Sequence, residues 1–254
     1  MVYERCPLCR GTLEICSVNE GYQRCRDCNT QYKVQADSKE EAAAGYFKEI
    51  DSTLRNDKRH YDILLKELYG EPGEQTDFGR FVTEMKFATI YSIGGGFPKF
   101  ESYFTANEIK VYDLAAEEYN SKIALFRSTF GCFTDISYHT YNLDEDTSIY
   151  EDILSGIDSG SPNLVTFIHL WEHLSPVVFS NMLDDMRKAR SDNLYYVVYQ
   201  PNVSVARHKS WCHYGGKGHI TLVPYDTMLK LLKIHEFKII YSAQYSDDML
   251  IIYY

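Results

Sequence analysis

From residue 86 onward, short apolar and β-branched runs alternate with segments whose apolar residues recur at helical spacing. The runs predict strands at 88–93, 109–113, 136–142, 164–169, 194–199, 237–243 and 249–254, and helices near 98–105, 115–130, 147–156, 175–190 and 224–234. Such alternation implies a mostly parallel sheet with helices on both faces. The last two runs are joined only by residues 244–248, too short for a parallel crossover, so as neighbours in one sheet they pair antiparallel. The expected fold class is α/β, a seven-stranded, mostly parallel Rossmann-like sheet with an antiparallel C-terminal hairpin.

Before residue 86 the pattern is helical. Asp37-Ser38 reads as a helix start with Glu40 and Glu41 in its first turn, and helical spacing continues from 39 to 69 with a break near Asn56-Asp57. Gly70 to Gly73 stops this region, and 76–85 predicts one more helix before the sheet. These helices are expected to pack on the sheet or to lid a ligand pocket.

Four of the seven cysteines change the picture at the N-terminus. Cys6 and Cys9, then Cys25 and Cys28, form two C-x-x-C pairs separated by fifteen residues. Two tight turns that each present a thiolate pair supply the four ligands of tetrahedral Zn²⁺, so a zinc ribbon is expected, with strands at 12–18, 21–24 and 31–34. So small a module cannot bury enough apolar surface alone, and the metal supplies much of its stability. Arg5, Arg10, Arg24 and Arg26 invite a nucleic-acid reading, but Glu4, Glu14, Glu20 and Asp27 nearly cancel them. A structural or partner-docking role for the ribbon is favoured. Cys16, Cys132 and Cys212 read as ordinary unpaired thiols. The organisation expected is a ribbon at 1–36, a helical linker or lid at 37–85 and a Rossmann-like domain at 86–254.

Composition adds only bounds. The chain of 254 residues is 44% hydrophobic and 24% charged, as a globular protein should be. No apolar run approaches the ~18–20 residues that span a bilayer, and the N-terminus lacks the layout of a signal peptide, so a cytoplasmic protein without a membrane partner is expected. The formal charge of −10 argues against broad electrostatic wrapping of nucleic acid.

The candidate chemistry begins where the run 88–93 enters Gly94-Gly95-Gly96. About twenty residues on, a second apolar run ends in Asp113 and Leu114. Strand, glycine turn, helix and a second strand tipped by a carboxylate make the first half of a nucleotide-binding βαβ unit. The glycines let the backbone approach an adenosine-bearing ligand, and the carboxylate accepts hydrogen bonds from ribose hydroxyls. Alone, a glycine run after a strand also marks a plain tight turn. The third glycine of a dinucleotide fingerprint is missing, with Pro98 and Lys99 in its place, so a single adenosine ligand without pyrophosphate, such as S-adenosylmethionine, suits the loop better.

Further motifs follow in order: Asn142-Leu143-Asp144, the run from Leu164 to Leu174 ending in His169-Leu170-Trp171-Glu172-His173, Gln200-Pro201-Asn202, and Gly218-His219-Ile220-Thr221 before a helix and Phe237. With the glycine loop they resemble the class I S-adenosylmethionine-dependent methyltransferases, in the branch that acts on small molecules and often carries an N-terminal zinc-binding segment. The resemblance covers 86–254. It implies cofactor contacts at Gly94, Gly95, Gly96, Asp113, Leu114, Asn142, Leu143 and His169. Two departures stand out: Ser92 replaces the acid expected two positions before the glycine loop, and Pro98 replaces a residue that is usually glycine.

Methyl transfer needs an aligned nucleophile and, where required, removal of its proton. The resemblance points to Glu172, His173 and His219 as catalytic candidates, with His213 beside them and Trp171 as a pocket wall. Each histidine also has a plain structural reading as a hydrogen-bonded loop residue. The absence of an Asn-Pro-Pro-Tyr-like motif after the fourth strand favours an oxygen, carbon or small-molecule amine acceptor. A non-catalytic scaffold that binds a protein partner and an RNA methyltransferase are the alternatives. The H-x-x-E-H spacing also matches an inverted zinc-protease motif, which needs both histidines and the glutamate on one helix; Pro176 and the preceding strand-like run argue against that. Asp144-Glu145-Asp146 reads as a solvated acidic loop rather than a metal-binding D-x-D.

Overall fold

The computed structural model describes residues 3–34, 50–70, 76–142, 149–157, 160–208, 212–215 and 218–254. A seven-stranded sheet forms its centre: β4 (Lys86–Ile93), β5 (Thr105–Asp113), β6 (Asp135–Thr140), β7 (Asn163–Ile168), β8 (Leu194–Pro201), β10 (Ile239–Tyr245) and β11 (Asp248–Tyr253), in spatial order β10-β11-β8-β7-β4-β5-β6. The pairs β4–β5, β4–β7, β5–β6 and β7–β8 are parallel, whereas β11 runs antiparallel to both β8 and β10. The predicted hairpin is present. Its turn is tighter than expected, only Ser246 and Asp247, with Ser246 at a left-handed φ of 50°.

Both faces of the sheet are buried, which explains why β7 and β11 read as unbroken apolar runs rather than alternating ones. Along β8, Tyr196 and Val198 belong to one core and Val197 and Tyr199 to the other. Helices α5 (Ile149–Gly156), α6 (Pro176–Lys188) and α7 (Tyr225–Ile234) close the first core through Ile149, Ile153, Met182, Leu183, Met228 and Leu232. Helices α1 (Ile50–Tyr69), α2 (Asp77–Glu84) and α4 (Ile123–Phe130) close the second through Leu54, Leu64, Leu68, Phe78, Phe81 and Phe126. Ser175 caps α6 by accepting from Val178 N at 3.3 Å, with Pro176 in the first turn.

Several expectations need correction. The helix near 98–105 does not form: only a 3-10 turn, Glu101–Tyr103, separates the glycine loop from β5. Phe97, Phe100 and Phe104 are all buried there, and Thr105 is already paired with Lys86, so the sheet takes residues that helical spacing had claimed. The long helix at 115–130 is two, α3 (Ala116–Ser121) and α4, broken at Lys122. α1 runs through Asn56-Asp57 without a break, because Leu54, Tyr61, Leu64, Leu65 and Leu68 bury one face and Asp57 is tied to Lys99 at 2.6 Å. The predicted start of that helix at Asp37-Ser38, its residues to 49, Gly73, and the 143–148 stretch holding Leu143 and the acidic loop lie outside the described residues.

The N-terminal strands β1 (Leu13–Ile15), β2 (Tyr22–Cys25) and β3 (Gln31–Lys33) pair antiparallel in sequence, near the predicted positions. Their sheet has a fourth member that periodicity did not foresee. β9 (Thr221–Leu222) pairs with β3, Gln31 against Leu222 and Tyr32 against Thr221. A two-residue strand carries no period, so only its partner reveals it.

Candidate functional site

The parallel strands deliver their C-terminal ends to one edge of the sheet, where α/β folds bind ligands. β4 leaves the sheet through Gly94 and Gly96, both left-handed with φ of 64° and 62°. A Cβ at Gly94 would lie 2.5 Å from Leu170 Cδ1, and one at Gly96 2.7 Å from Tyr119 Cζ, so conformation and close packing both require glycine. Asp113, at the tip of the adjacent β5, accepts from Gly96 N at 3.1 Å and from Ala115 N at 2.9 Å. Burial pushes its pKa up and those two amides pull against the rise, leaving it raised. A cavity of about 240 Å³ opens here, lined in part by Gly94, Gly95, Gly96, Lys99, Tyr119, His169 and His173. Tyr61 of α1 reaches the same cavity, so this helix does contribute to its wall.

Beside the cavity lies a histidine-rich cluster. His169 ends β7 at a left-handed φ of 51°, and its Nδ1 is 3.1 Å from Glu172 Oε1. Trp171–His173 form a 3-10 turn before α6, so His169, Glu172 and His173 do not share a helix and the protease arrangement is absent. Glu172 is only 2% exposed. Burial works to raise its pKa, yet the His169 bond and the charges of His169, His173 and His219 hold it down to about 2. Burial lowers His169, while Glu172 and Asp248 outweigh it and leave that pKa raised. His219 is pushed down to about 4, chiefly by burial. Its Nδ1 donates to the His213 carbonyl at 2.8 Å, and its ring meets that of His173 at 4.8 Å. His213 sits 3.5 Å from Asp248. The predicted catalytic trio is therefore brought together, with His213 at its edge.

The four ribbon cysteines also converge. Cys6 Sγ is 3.7 Å from Cys28 Sγ, Cys9 Sγ is 3.4 Å from Cys25 Sγ, and all four sulfurs lie within 4.8 Å of one another. Thiolates around a tetrahedral Zn²⁺ at ~2.3 Å stand about 3.8 Å apart, whereas a disulfide needs about 2.05 Å. The cluster fits zinc and not disulfides. Cys16 and Cys132 are buried and free. They fit their reading as small apolar residues.

No protein-family model matches the chain, and no curated protein matches it in sequence. Solved structures do match. An O-methyltransferase family 2 protein from Planctomyces limnophilus, solved with apigenin, superposes at a TM-score of 0.53 and 11% identity over 87% of this chain and 63% of its own. An O-methyltransferase family protein from Burkholderia thailandensis gives 0.54 at 12% identity, over 80% of this chain and 57% of its own. The mitomycin 7-O-methyltransferase MmcR gives 0.55 at 10% identity, over 85% and 58%. The chain has the fold of the class I S-adenosylmethionine-dependent methyltransferases. It spans about three fifths of the length of these three structures.

Within that methyltransferase fold, the glycine loop, Asp113, His169 and His173 meet at one place. Leu114 does not join them: it is 58% exposed. Asn142 follows β6 and is half-buried, outside the cavity lining. Sequence reasoning missed Glu101. It lines the cavity from the 3-10 turn and is fully buried, its carboxylate accepting from Thr166 Oγ1. Burial raises its pKa, opposed by Thr166 and Ser92. A Cβ on Gly95 would lie 2.7 Å from Ser92 Oγ and 3.8 Å from Glu101 Oε1, so a carboxylate does sit beneath the loop, although position 92 is serine. An acid set among Phe97, Phe100 and Phe104 was the available signal.

Proposed function

We propose that the protein is an S-adenosylmethionine-dependent methyltransferase acting on a small-molecule acceptor. The observation that carries this reading is the Asp113 carboxylate at the tip of β5, hydrogen-bonded to Gly96 of the loop that leaves the neighbouring β4. That is a ribose-binding acid beside a loop whose backbone a ligand can approach. S-adenosylmethionine supplies an electrophilic methyl group when bound. Gly94, Gly95, Gly96, Asp113 and His169 are assigned to hold it, and Leu114, Asn142 and Leu143 are kept as contacts that the family resemblance implies. Glu172, His173 and His219 are assigned to the acceptor, which they orient. α1 and Lys99, tied through Asp57, wall off water.

In the same reading, residues 1–36 are a zinc ribbon held by Cys6, Cys9, Cys25 and Cys28, 37–85 a helical linker and 86–254 the catalytic domain. The ribbon serves its own chain first, since β3 pairs with β9. Among the described residues no helix is long and apolar enough to cross a membrane. Zinc-spaced cysteines and buried free thiols suit a cytoplasmic setting.

A second reading, a scaffold that keeps the fold without the chemistry, is favoured by one observation. Leu170 and Tyr119 press on the glycines, and about 240 Å³ is below the ~300–1,000 Å³ usual for ligand pockets. Titration of the zinc-loaded protein with S-adenosylhomocysteine separates the readings. Saturable binding that Asp113→Ala removes supports the enzyme; no binding in a folded protein supports the scaffold.

A further inference from the structure

Among the described residues, two groups bring three or more metal-ligating side chains within reach of one ion: the ribbon cysteines, and Glu172, His173 and His219. We propose that the second group is a divalent transition-metal site in its own right, distinct from the ribbon zinc, with an open position facing the cavity beside His173.

Three features carry the assignment. Glu172 is buried, and while Oε1 is taken by His169, Oε2 has no hydrogen-bond partner among the described residues. An unpartnered carboxylate oxygen in a protein interior is expensive unless a cation meets it. Second, the donor atoms of the trio lie within 4.8 Å of one another. Ligands at about 2.1 Å from one ion stand roughly 3–3.4 Å apart, a contraction that side-chain rotation supplies. Third, outer contacts already orient the ligands. His219 Nδ1 donates to the His213 carbonyl, which in the neutral ring leaves the lone pair on Nε2, and His169 holds Glu172 from behind.

The two ligand-bearing segments are also stitched together. Ile220 N donates to the Glu172 carbonyl at 2.6 Å, and Thr221 Oγ1 to the Leu174 carbonyl at 2.9 Å. Gly218 gives His173 its room, since a Cβ there would lie 3.0 Å from His173 Nδ1. Two imidazoles and one carboxylate suit Zn²⁺, Fe²⁺ or Co²⁺ and not Mg²⁺ or Ca²⁺, which prefer all-oxygen sites. Three protein ligands leave a position for an oxygen donor, as catalytic rather than structural sites do. His169 and His173 line the cavity, so that position opens toward it.

The test uses the full chain with one equivalent of Zn²⁺ in the ribbon, titrated with Co²⁺ and followed by metal analysis and visible absorption. The expected result is a second equivalent with ligand-field bands and without the intense charge transfer of cobalt thiolates. Glu172→Gln and His219→Gln each weaken it at least 100-fold, and His169→Asn by about 10–100-fold as an outer partner. Should Glu172→Gln fail to fold, His173→Asn replaces it with the same expected loss. Binding of one metal only, or a second equivalent that these variants leave unchanged, overturns the proposal. Neither cofactor nor acceptor is added, so the result stands apart from the methyl-transfer reading, which the S-adenosylhomocysteine titration tests alone.

Discussion

Tyr22 of the ribbon donates its phenolic hydrogen to the backbone carbonyl of His219, 3.1 Å away and 197 residues later in the chain. The same seam holds Lys33 N on the Ile220 carbonyl at 2.9 Å, Tyr214 Oη on Gln31 Oε1 at 2.7 Å and Thr227 Oγ1 on the Cys28 carbonyl at 2.5 Å. The ribbon is thus the back wall of the His219 segment rather than an appendage. Tyr22→Phe removes the bond to the His219 carbonyl and keeps the ring that meets Tyr214. We expect a loss of about 1 kcal/mol in urea unfolding, with cofactor binding unchanged and turnover reduced. Unchanged turnover would separate the ribbon from the chemistry.

Metal removal should act through the same seam. A structural Zn²⁺ contributes ~10–16 kcal/mol of apparent binding energy in small zinc modules. Strong chelation, or Cys25→Ser, is therefore expected to unfold β1–β3, release β9 and free His219. Hydrogen exchange would show it as lost protection at both 22–33 and 220–222, while the centre of the seven-stranded sheet keeps its own. Loss confined to the ribbon would contradict the coupling.

How much of this was legible beforehand depended on the length over which a signal repeats. β7 and β8 are long, apolar and bounded, and the sequence placed them within a residue or two. The four cysteines carry their geometry in their spacing, and Gly94 and Gly96 theirs in the need for a left-handed turn. The 3-10 turn at Glu101 did not announce itself, because Phe97, Phe100 and Phe104 also fit helical spacing until β5 claims Thr105. β9 was invisible for a different reason: two residues gain strand character only from β3. Glu172 and His173 were read as candidates from a motif, but their meeting with His219 depends on the seam to the ribbon, which is tertiary.

Glu101 offers a stability prediction with a definite sign. Burial raises its folded pKa above the ordinary glutamate value of about 4.3, so between the two values folding takes up a proton. The protein is then most stable, as far as Glu101 is concerned, below the ordinary value, and loses stability as pH rises through the raised one. Glu101→Gln keeps the shape and the Thr166 contact but cannot ionise. Its Tm should exceed that of the parent at pH 8 and approach it near pH 4. An advantage for the parent at pH 8 would mean that the carboxylate is stabilised where it lies.

Asp113 gives the corresponding prediction for the cofactor. Its folded pKa is raised by burial, and the ionised form, both oxygens of which accept from the amides of Gly96 and Ala115, takes ribose hydroxyls far better than the acid, which turns one oxygen into a donor. Binding of S-adenosylhomocysteine therefore releases a proton when the pH is below that pKa. The affinity should be level above it and fall about tenfold per pH unit below it. The midpoint should lie above the ordinary aspartate value of about 3.9. Asp113→Asn keeps most of the side-chain volume, loses the acid limb and binds at least tenfold more weakly at pH 7. Calorimetry in buffers of different ionisation enthalpy measures the proton release directly. A midpoint at or below the ordinary value, or an acid limb that persists in the asparagine variant, would assign the titration to another group and remove Asp113 from the ribose.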